Sequence, residues 1–342
     1  ILSRTLGMLL LGYGAWLLPS LRVAAFTRGT VSALFLALLA LGALAGWLQR
    51  REIGTFLRGR WRLVLANEAL FLAFFLLFWL IRRGNPDLWH PVMGGEKPMD
   101  LAYLNAILKS TWFPPYDPWF SGGYLNYYYL GHVLVATLIK VTGIVPSVAY
   151  NLAIPTLFAM TAMGASAVVY NLVPEGNGEH RWLPRALRFG LVGALFVAVL
   201  GNLGEVRLLL DGLRLLGAEG SAGAAPLGGA LAQIWAGLGR VLEGASLPFR
   251  PEWWYWNASR VMANGEINEF PFFTFLYADL HAHLIALPLT LLALAMSVGL
   301  VVRPAGRADG GRAGLGGLLP PGLLAPLAGL ALATGILWGA NT

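Results

Sequence analysis

The chain has 342 residues, of which 57% are hydrophobic and 12% charged, whereas charged residues make up about 25% of an ordinary soluble domain. This balance excludes a soluble globular protein and indicates a membrane protein. The net charge of +7 does not indicate nucleic-acid binding, because the arginines lie in short loops, where they set membrane orientation. The chain has no cysteine, which excludes disulfides, thiolate nucleophiles and cysteine-ligated zinc.

Apolar runs that approach or exceed the length needed to cross a bilayer recur along the chain. They predict an all-α fold, a polytopic transmembrane helix bundle with about eight spans. Residues 1–62 would form N-terminal transmembrane helices, and residues 63–342 a membrane domain that we expect to be truncated at its C-terminus. The predicted spans are residues 6–18, 31–48, 63–81, 124–141, 148–173, 187–203, 272–302 and 318–340.

Arginine-rich segments set the predicted orientation. Residues 49–62 hold five arginines against one glutamate, and residues 303–312 hold three against one aspartate, so both are predicted to be cytoplasmic loops. The long segment 82–123 and the start of the run at 272 would then be extracytoplasmic. The number of crossings between residues 123 and 270 stays open. The orientation requires an even number, and only three runs are convincing unless the weak run 226–242 also crosses.

Residues 94–132 are too polar and too rich in proline and glycine to span a membrane. After Asp100, apolar residues recur at helical spacing at positions 101, 104, 107 and 108, which predicts a short helix along the membrane surface. Asp100 would stand at its N-terminus, either as a structural cap for free backbone N–H groups or as a functional carboxylate. Glu96 lies four residues upstream. Asp117 follows in a PPYDPW turn. Either it only stabilises this turn, or the turn presents its carboxylate to a ligand.

Three consecutive tyrosines, Tyr127, Tyr128 and Tyr129, open the next apolar run. Tyrosines at a membrane boundary are usually interfacial anchors. Neighbouring helical positions lie about 100° apart, so the three rings cannot all face lipid. At least one is predicted to face the protein or a ligand.

A second polar cluster, Asp279, His281 and His283, interrupts the run 272–302, where ionisable groups need partners or a function. In a continuous helix Asp279 and His283 share a face and His281 points away. Asp279 and His283 are therefore candidate ligands of a divalent metal ion, at a site shared with the segment 82–123. The alternative is a helix start at the interface, with histidines satisfied by their neighbours.

Two further glutamates have simple structural explanations as alternatives to a function. Glu269 precedes the same run and is either a solvated loop carboxylate or part of an extracytoplasmic site. Glu68 lies early in the run 63–81 and is expected to pair with Arg62 if it has no functional role.

Five sequence blocks, GGEKPMD, FPPYDPWFSGGYLNYYYLGH, WNASRVM, INEFPFF and ADLHAH, occur in the order seen in a known family. In these blocks the chain resembles the Chlor_Arch_YYY family, membrane proteins with a YYY motif and no known function. The order of an acidic residue, a surface helix, a Trp/Pro segment and a tyrosine-rich start of the next span is also similar to GT-C glycosyltransferases. Those multi-span enzymes take sugars from polyprenyl-phosphate carriers.

The GT-C resemblance implies a catalytic role for Asp100, with Glu96 one helical turn away in place of the usual paired acid. Sugar transfer needs a base for the acceptor hydroxyl and cations for the leaving phosphate. Asp100 is the expected base. The expected substrate-binding residues are Lys97, Asp117, Tyr127, Tyr128, Tyr129, Arg260, Glu269 and His281.

We therefore expect a glycosyltransferase of the plasma membrane that moves a sugar from a polyprenyl-phosphate carrier to an extracytoplasmic acceptor. A multi-span transporter or channel is the alternative, because polar residues at membrane depth also mark ion paths. Transporters usually place such residues near the midplane and in repeated halves, whereas here they cluster at one surface without a sequence repeat. A metallohydrolase would need a compact ligand set such as HExxH, which is absent from the sequence.

Overall fold

The computed structural model describes residues 1–90, 95–173, 185–218, 227–250, 253–302 and 321–341. Within these ranges the chain is helical and forms no β-strand, apart from one isolated bridge between Tyr116 and Tyr124. The segment 303–312, predicted to be a cytoplasmic loop, lies outside the described residues. So do position 94, position 226 and positions 318–320, at the edges of other predicted segments.

The chain divides into two compact units. The first comprises Ile1–Ala198 and Ala278–Thr342, and the second comprises Val199–Tyr277. The helices are α1 (Ser3–Ser20), α2 (Arg28–Leu48), α3 (Arg50–Gly84), α4 (Lys97–Lys109), α5 (Tyr129–Thr142), α6 (Pro146–Leu172), α7 (Arg185–Ala194), α8 (Gly204–Ala218), α9 (Leu227–Leu242), α10 (Trp253–Trp256), α11 (Pro271–Tyr277), α12 (Ala282–Val301) and α13 (Pro321–Ala340).

Four of the described helices, α2, α3, α6 and α12, are long and apolar enough to cross a membrane. The number rises to five if Arg185–Val199 and Gly204–Ala218 form one broken span. Helix α5, predicted as a span, has 14 residues, or about 21 Å, which is less than the hydrocarbon thickness of a bilayer. The chain is a multi-pass membrane protein, and among its described helices the larger predicted number of spans is not reached by length and composition alone.

The arginine-rich segment 49–62 was predicted to be a loop, and this prediction is wrong. It forms the first part of α3, which runs through to Gly84 with a kink at Arg60. Arginine and leucine are strong helix formers, so charge does not prevent the helix from continuing. Glu68, on the same helix, pairs with Arg4 of α1.

Helix α6 occupies the centre of the first unit, with α3, α7 and α12 packed on it. Small residues allow these helices to approach closely, as is usual in membranes. A Cβ at Gly164 would lie 2.8 Å from Leu291 of α12, and a Cβ at Gly190 of α7 would lie 2.7 Å from the Ser166 hydroxyl. The buried core of the unit therefore lies along α6.

The second unit pairs α8 with α9, the helix formed by the weak run 227–242. Arg214 Nε donates to Gln233 Oε1 at 3.2 Å, and Arg240 Nη1 donates to the Leu216 carbonyl at 3.0 Å. Asn202 Nδ2 donates to the Ala258 carbonyl at 2.7 Å, which ties the start of the unit to the turn that contains Arg260.

The run 272–302 is not one helix, contrary to the prediction. Helix α11 ends at Tyr277 and α12 begins at Ala282. Between them Ala278 adopts a left-handed conformation with φ of +63°, which is costly for a residue with a Cβ. We call residues 278–281 the break.

Candidate functional site

Tyr150 of α6 holds the break in place. Its hydroxyl accepts a hydrogen bond from the Leu280 N–H at 2.7 Å and donates to the Ala278 carbonyl at 3.3 Å. All three residues are fully buried. Backbone groups released from a helix in an apolar region must find partners within the protein. Here the Tyr150 hydroxyl is the partner of both backbone groups, so a specific tertiary contact stabilises the break.

The structure corrects the predicted start of α4. The helix begins at Lys97, with Pro98 in its first turn, where a missing backbone N–H costs nothing. Asp100 therefore lies at the end of the first turn, fully buried, and its side chain caps no backbone group of the described residues. Of the two alternatives for Asp100, the capping role is therefore wrong.

The start of α4 and the break bring four ionisable side chains together, which we call the ion cluster: Glu96, Lys97, Asp279 and His281. Lys97 Nζ lies 2.9 Å from Asp279 Oδ1, and the Glu96 backbone N–H donates to Asp279 Oδ2 at 2.8 Å. His281 Nε2 lies 3.3 Å from Glu96 Oε2 and 3.5 Å from Asp279 Oδ2.

The cluster has a buried half and an accessible half. The side chains of Lys97 and Asp279 are buried, whereas that of Glu96 is 56% exposed and that of His281 is 17% exposed. A ligand that approaches the cluster therefore meets the Glu96 carboxylate and the His281 imidazole first.

Neighbouring charges shift the pKa values of two residues in the ion cluster, His281 and Asp279. Burial alone would lower the pKa of His281, but the interaction with Asp279 and the negative charges of Asp100 and Glu96 raise this pKa to about 9. Burial also pushes the pKa of Asp279 upward, and His281 and Lys97 outweigh it, so that the pKa lies below its usual value. At neutral pH His281, in the exposed half, is therefore an imidazolium.

A second pair, Asp100 and His132, lies one turn further along α4. Asp100 Oδ1 and His132 Nε2 are 3.5 Å apart and both side chains are fully buried. Neither carboxylate oxygen of Asp100 and neither ring nitrogen of His132 has a hydrogen-bond partner within the described residues. Buried polar groups almost always have partners, so such a pair points to a function or a bound molecule.

Sequence analysis missed His132 and Tyr150. His132 sits in the first turn of an apolar helix, where an ionisable residue is by default a functional candidate. That signal was present in the sequence. For Tyr150 there was none, because a buried tyrosine in a long apolar helix looks like any other core aromatic.

The predicted grouping of Asp279 with His283 on one helical face is wrong, because the segment that carries them is not a continuous helix. The break turns His281 toward Asp279 and Glu96 instead, and the His283 ring stacks on that of His281 at 5.3 Å.

The described residues include no group of three or more His, Asp or Glu that could hold a metal ion. Both oxygens of Asp279 already accept, from Lys97 and from the Glu96 backbone. In this arrangement Asp279 and His283 do not fit a metal, and a role for a metal stays a prediction from sequence.

The three tyrosines face different surroundings, as expected. The Tyr127 ring packs against Tyr103 at 5.3 Å. Burial and the charges of Asp100 and Glu96 raise the pKa of Tyr127 to about 12. Tyr128 is exposed, and the Tyr129 hydroxyl accepts a hydrogen bond from the Trp16 indole at 3.4 Å. The electrostatic surroundings of Tyr127 therefore include Glu96 and Asp100.

Asp117 shapes its turn: Oδ1 accepts from the backbone N–H groups of Trp119 at 2.7 Å and Phe120 at 3.1 Å. The remaining predicted residues lie in the second unit. There Arg260 stacks over the Trp256 ring at 3.9 Å, and Glu269 Oε2 accepts from the Thr274 hydroxyl at 3.4 Å.

The family of uncharacterized membrane proteins DUF2298 matches residues 10–342 of the chain. No curated protein and no solved structure matches it. The match covers nearly the whole chain, including both halves of the ion cluster and the Asp100–His132 pair. The chain therefore belongs to DUF2298, a family of uncharacterized membrane proteins.

Proposed function

We propose that the protein is a glycosyltransferase that moves a sugar from a polyprenyl-phosphate carrier to an acceptor hydroxyl on the extracytoplasmic side of the plasma membrane. The observation that carries this proposal is the exposed Glu96 carboxylate 3.3 Å from His281. A base for the acceptor proton stands beside a cation for the leaving phosphate, as this reaction requires.

In this reaction the acceptor oxygen forms a bond to the anomeric carbon of the sugar while the bond from that carbon to the phosphate oxygen breaks. The proton of the acceptor hydroxyl passes to Glu96. The electron pair of the broken bond leaves with the polyprenyl phosphate, whose added charge is stabilised by His281 and, from the buried side, by Lys97.

The base assignment moves from Asp100, expected from sequence, to Glu96, because Asp100 is fully buried and the Glu96 side chain is exposed. Asp100 keeps a role in the proposal. Its charge is among those that raise the pKa of His281 and so keep the imidazole protonated beside the leaving group.

The topology expected from sequence belongs to the same proposal. An arginine-rich start of α3 on the cytoplasmic side places Gly84 and the segment after it on the outer side, with α4 and the break. A GT-C-like bundle with about eight spans would accommodate the shorter helices α1, α5 and α13 as crossings.

The test uses the protein reconstituted in liposomes with a panel of labelled polyprenyl-phosphate sugars, and a chromatographic readout of the released carrier phosphate. Glu96→Gln should lower turnover by ~10²–10⁴, the usual contribution of a positioned base. Glu52→Gln, the same change on an exposed glutamate of α3, is the matched control and should keep turnover.

If the wild-type protein turns over no donor in a broad panel, or if Glu96→Gln turns over donor like the wild type, the proposal fails. Solute flux across the same liposomes without sugar transfer would favour a transporter instead.

A further inference from the structure

A cavity of about 620 Å³ opens along α4, lined on the helix side by Asn105, Ala106 and Lys109 and on the opposite side by Trp112, Tyr116 and Tyr124. We call it the α4 groove. Its volume lies within the range of small-ligand sites, roughly 300–1,000 Å³.

The α4 groove and the ion cluster use different faces of one helix. Groove residues of α4 recur at positions 102, 105, 106 and 109, a spacing that places them on one face. Lys97, Asp100, Tyr103, Leu104 and Ile107 are buried. The ion cluster and the α4 groove therefore lie on different sides of helix α4.

One wall of the groove is an aromatic surface. The rings of Tyr116 and Tyr124 stack with centroids 5.2 Å apart, yet these residues remain 63% and 53% exposed. Backbone hydrogen bonds from Asp117 N to Gly123 O at 3.0 Å and from Leu125 N to Pro115 O at 2.8 Å hold the two sides of this turn together. A fixed, exposed aromatic wall is the usual support for a flat apolar ligand face, and a sugar ring offers one.

The charged groups of the groove are Arg22, Lys109 and Asp117. Arg22 and Lys109 are exposed, and the Arg22 guanidinium lies 5.5 Å from the Trp112 ring. Asp117 has one oxygen occupied by two backbone N–H groups. The groove thus has two cationic side chains and one carboxylate, and that carboxylate is already hydrogen-bonded within its own turn. The net positive charge favours an anionic ligand.

We propose that the α4 groove binds an oligosaccharide that carries acidic groups. The aromatic wall takes the apolar faces of the sugar rings, while Lys109 and Arg22 take the carboxylates or sulfates. Identifying this saccharide as the acceptor rests on the proposed function, whereas the binding itself does not.

Binding is tested on purified protein in nanodiscs of uncharged lipid, with no donor lipid present. The probes are tetragalacturonate and maltotetraose, an acidic and a neutral tetrasaccharide, measured by calorimetry and by saturation-transfer NMR. The acidic probe should bind at least about tenfold more tightly than the neutral one, a difference of 1.4 kcal/mol in binding free energy.

Lys109→Gln should weaken binding of tetragalacturonate by about fivefold or more and reduce its salt dependence. Tyr116→Ala should weaken binding of both probes. Lys109→Gln leaves the aromatic turn untouched, so it remains informative if Tyr116→Ala disturbs the turn. Arg51→Gln removes an exposed cation of α3 outside the groove and should leave binding unchanged.

The proposal is overturned if neither probe binds or if both bind with equal affinity. It is also overturned if Lys109→Gln binds tetragalacturonate as tightly as the wild type and the control Arg51→Gln do. Its failure is distinguishable from failure of the transferase. A protein that binds tetragalacturonate but turns over no donor supports the groove and contradicts the transfer reaction, and the opposite result overturns the groove alone.

Discussion

Replacing Tyr150 by phenylalanine removes one oxygen atom from the centre of the molecule. The ring and its packing stay, but the Leu280 N–H loses its acceptor and the Ala278 carbonyl loses a donor. Both residues are fully buried, so water cannot replace the hydroxyl without entering the core.

The expected destabilisation is about 1–3 kcal/mol, the cost of leaving one buried donor without a partner. The longer contact, at 3.3 Å to the carbonyl, adds less, because that oxygen loses only a weak bond. The left-handed Ala278 is no longer held, so the break should open more often than it does in the wild type.

The assay combines thermal unfolding in detergent micelles with hydrogen exchange read by mass spectrometry on peptides that cover residues 278–284. Tyr150→Phe should lower the unfolding temperature and raise the exchange rate in that peptide. The matched control is Tyr13→Phe, the same change at a tyrosine whose hydroxyl makes no hydrogen bond within the described residues. If the two variants behave alike in both measurements, the break is not held by Tyr150 and the reasoning is wrong.

Lys97→Met should destabilise the fold by up to about 3–5 kcal/mol, because it removes the closest cation from the buried Asp279 carboxylate, and adding Asp279→Asn should recover part of the loss in thermal unfolding. Turnover should fall as the pH rises through about 9, because His281 is protonated below its raised pKa and loses its charge above it. In Asp279→Asn this fall should move to lower pH, since the interaction that most raises that pKa is gone. Gly190→Ala should cost about 1–3 kcal/mol by overpacking, since its Cβ would lie 2.7 Å from a neighbouring side chain, whereas Gly42→Ala, with no atom within 4 Å, should not destabilise.

Composition and periodicity predicted the membrane class, the helical fold and a helix in the segment after residue 94, because each depends on local sequence. The apolar spacing of Leu104 and Ile107 also identified residues of the face of α4 that is buried. The helix begins at Lys97 rather than at Asp100, because proline in the first turn allows it to start before the apolar pattern does.

The break could not be predicted, because the residue that holds it lies 130 positions away in sequence. An apolar run with three polar residues reads as a continuous helix unless the partner for its free backbone groups is known. The contact of His281 with Glu96 depends on this same break, and so does the error in pairing Asp279 with His283. The Asp100–His132 pair is likewise a tertiary contact, and only the unusual depth of His132 could have suggested it.

Because the ion cluster and the α4 groove lie on one helix, the number of residues between them fixes the angle between their side chains around the helix axis. One residue inserted between Asp100 and Asn105 would rotate everything downstream by about 100°. Lys97 would still reach Asp279, but Lys109 would turn out of the groove. Relatives that keep both sites must therefore keep the length of the segment 97–109 unchanged even where its sequence drifts. A family member whose sequence has an insertion or deletion in this segment is expected to lack one of the two sites.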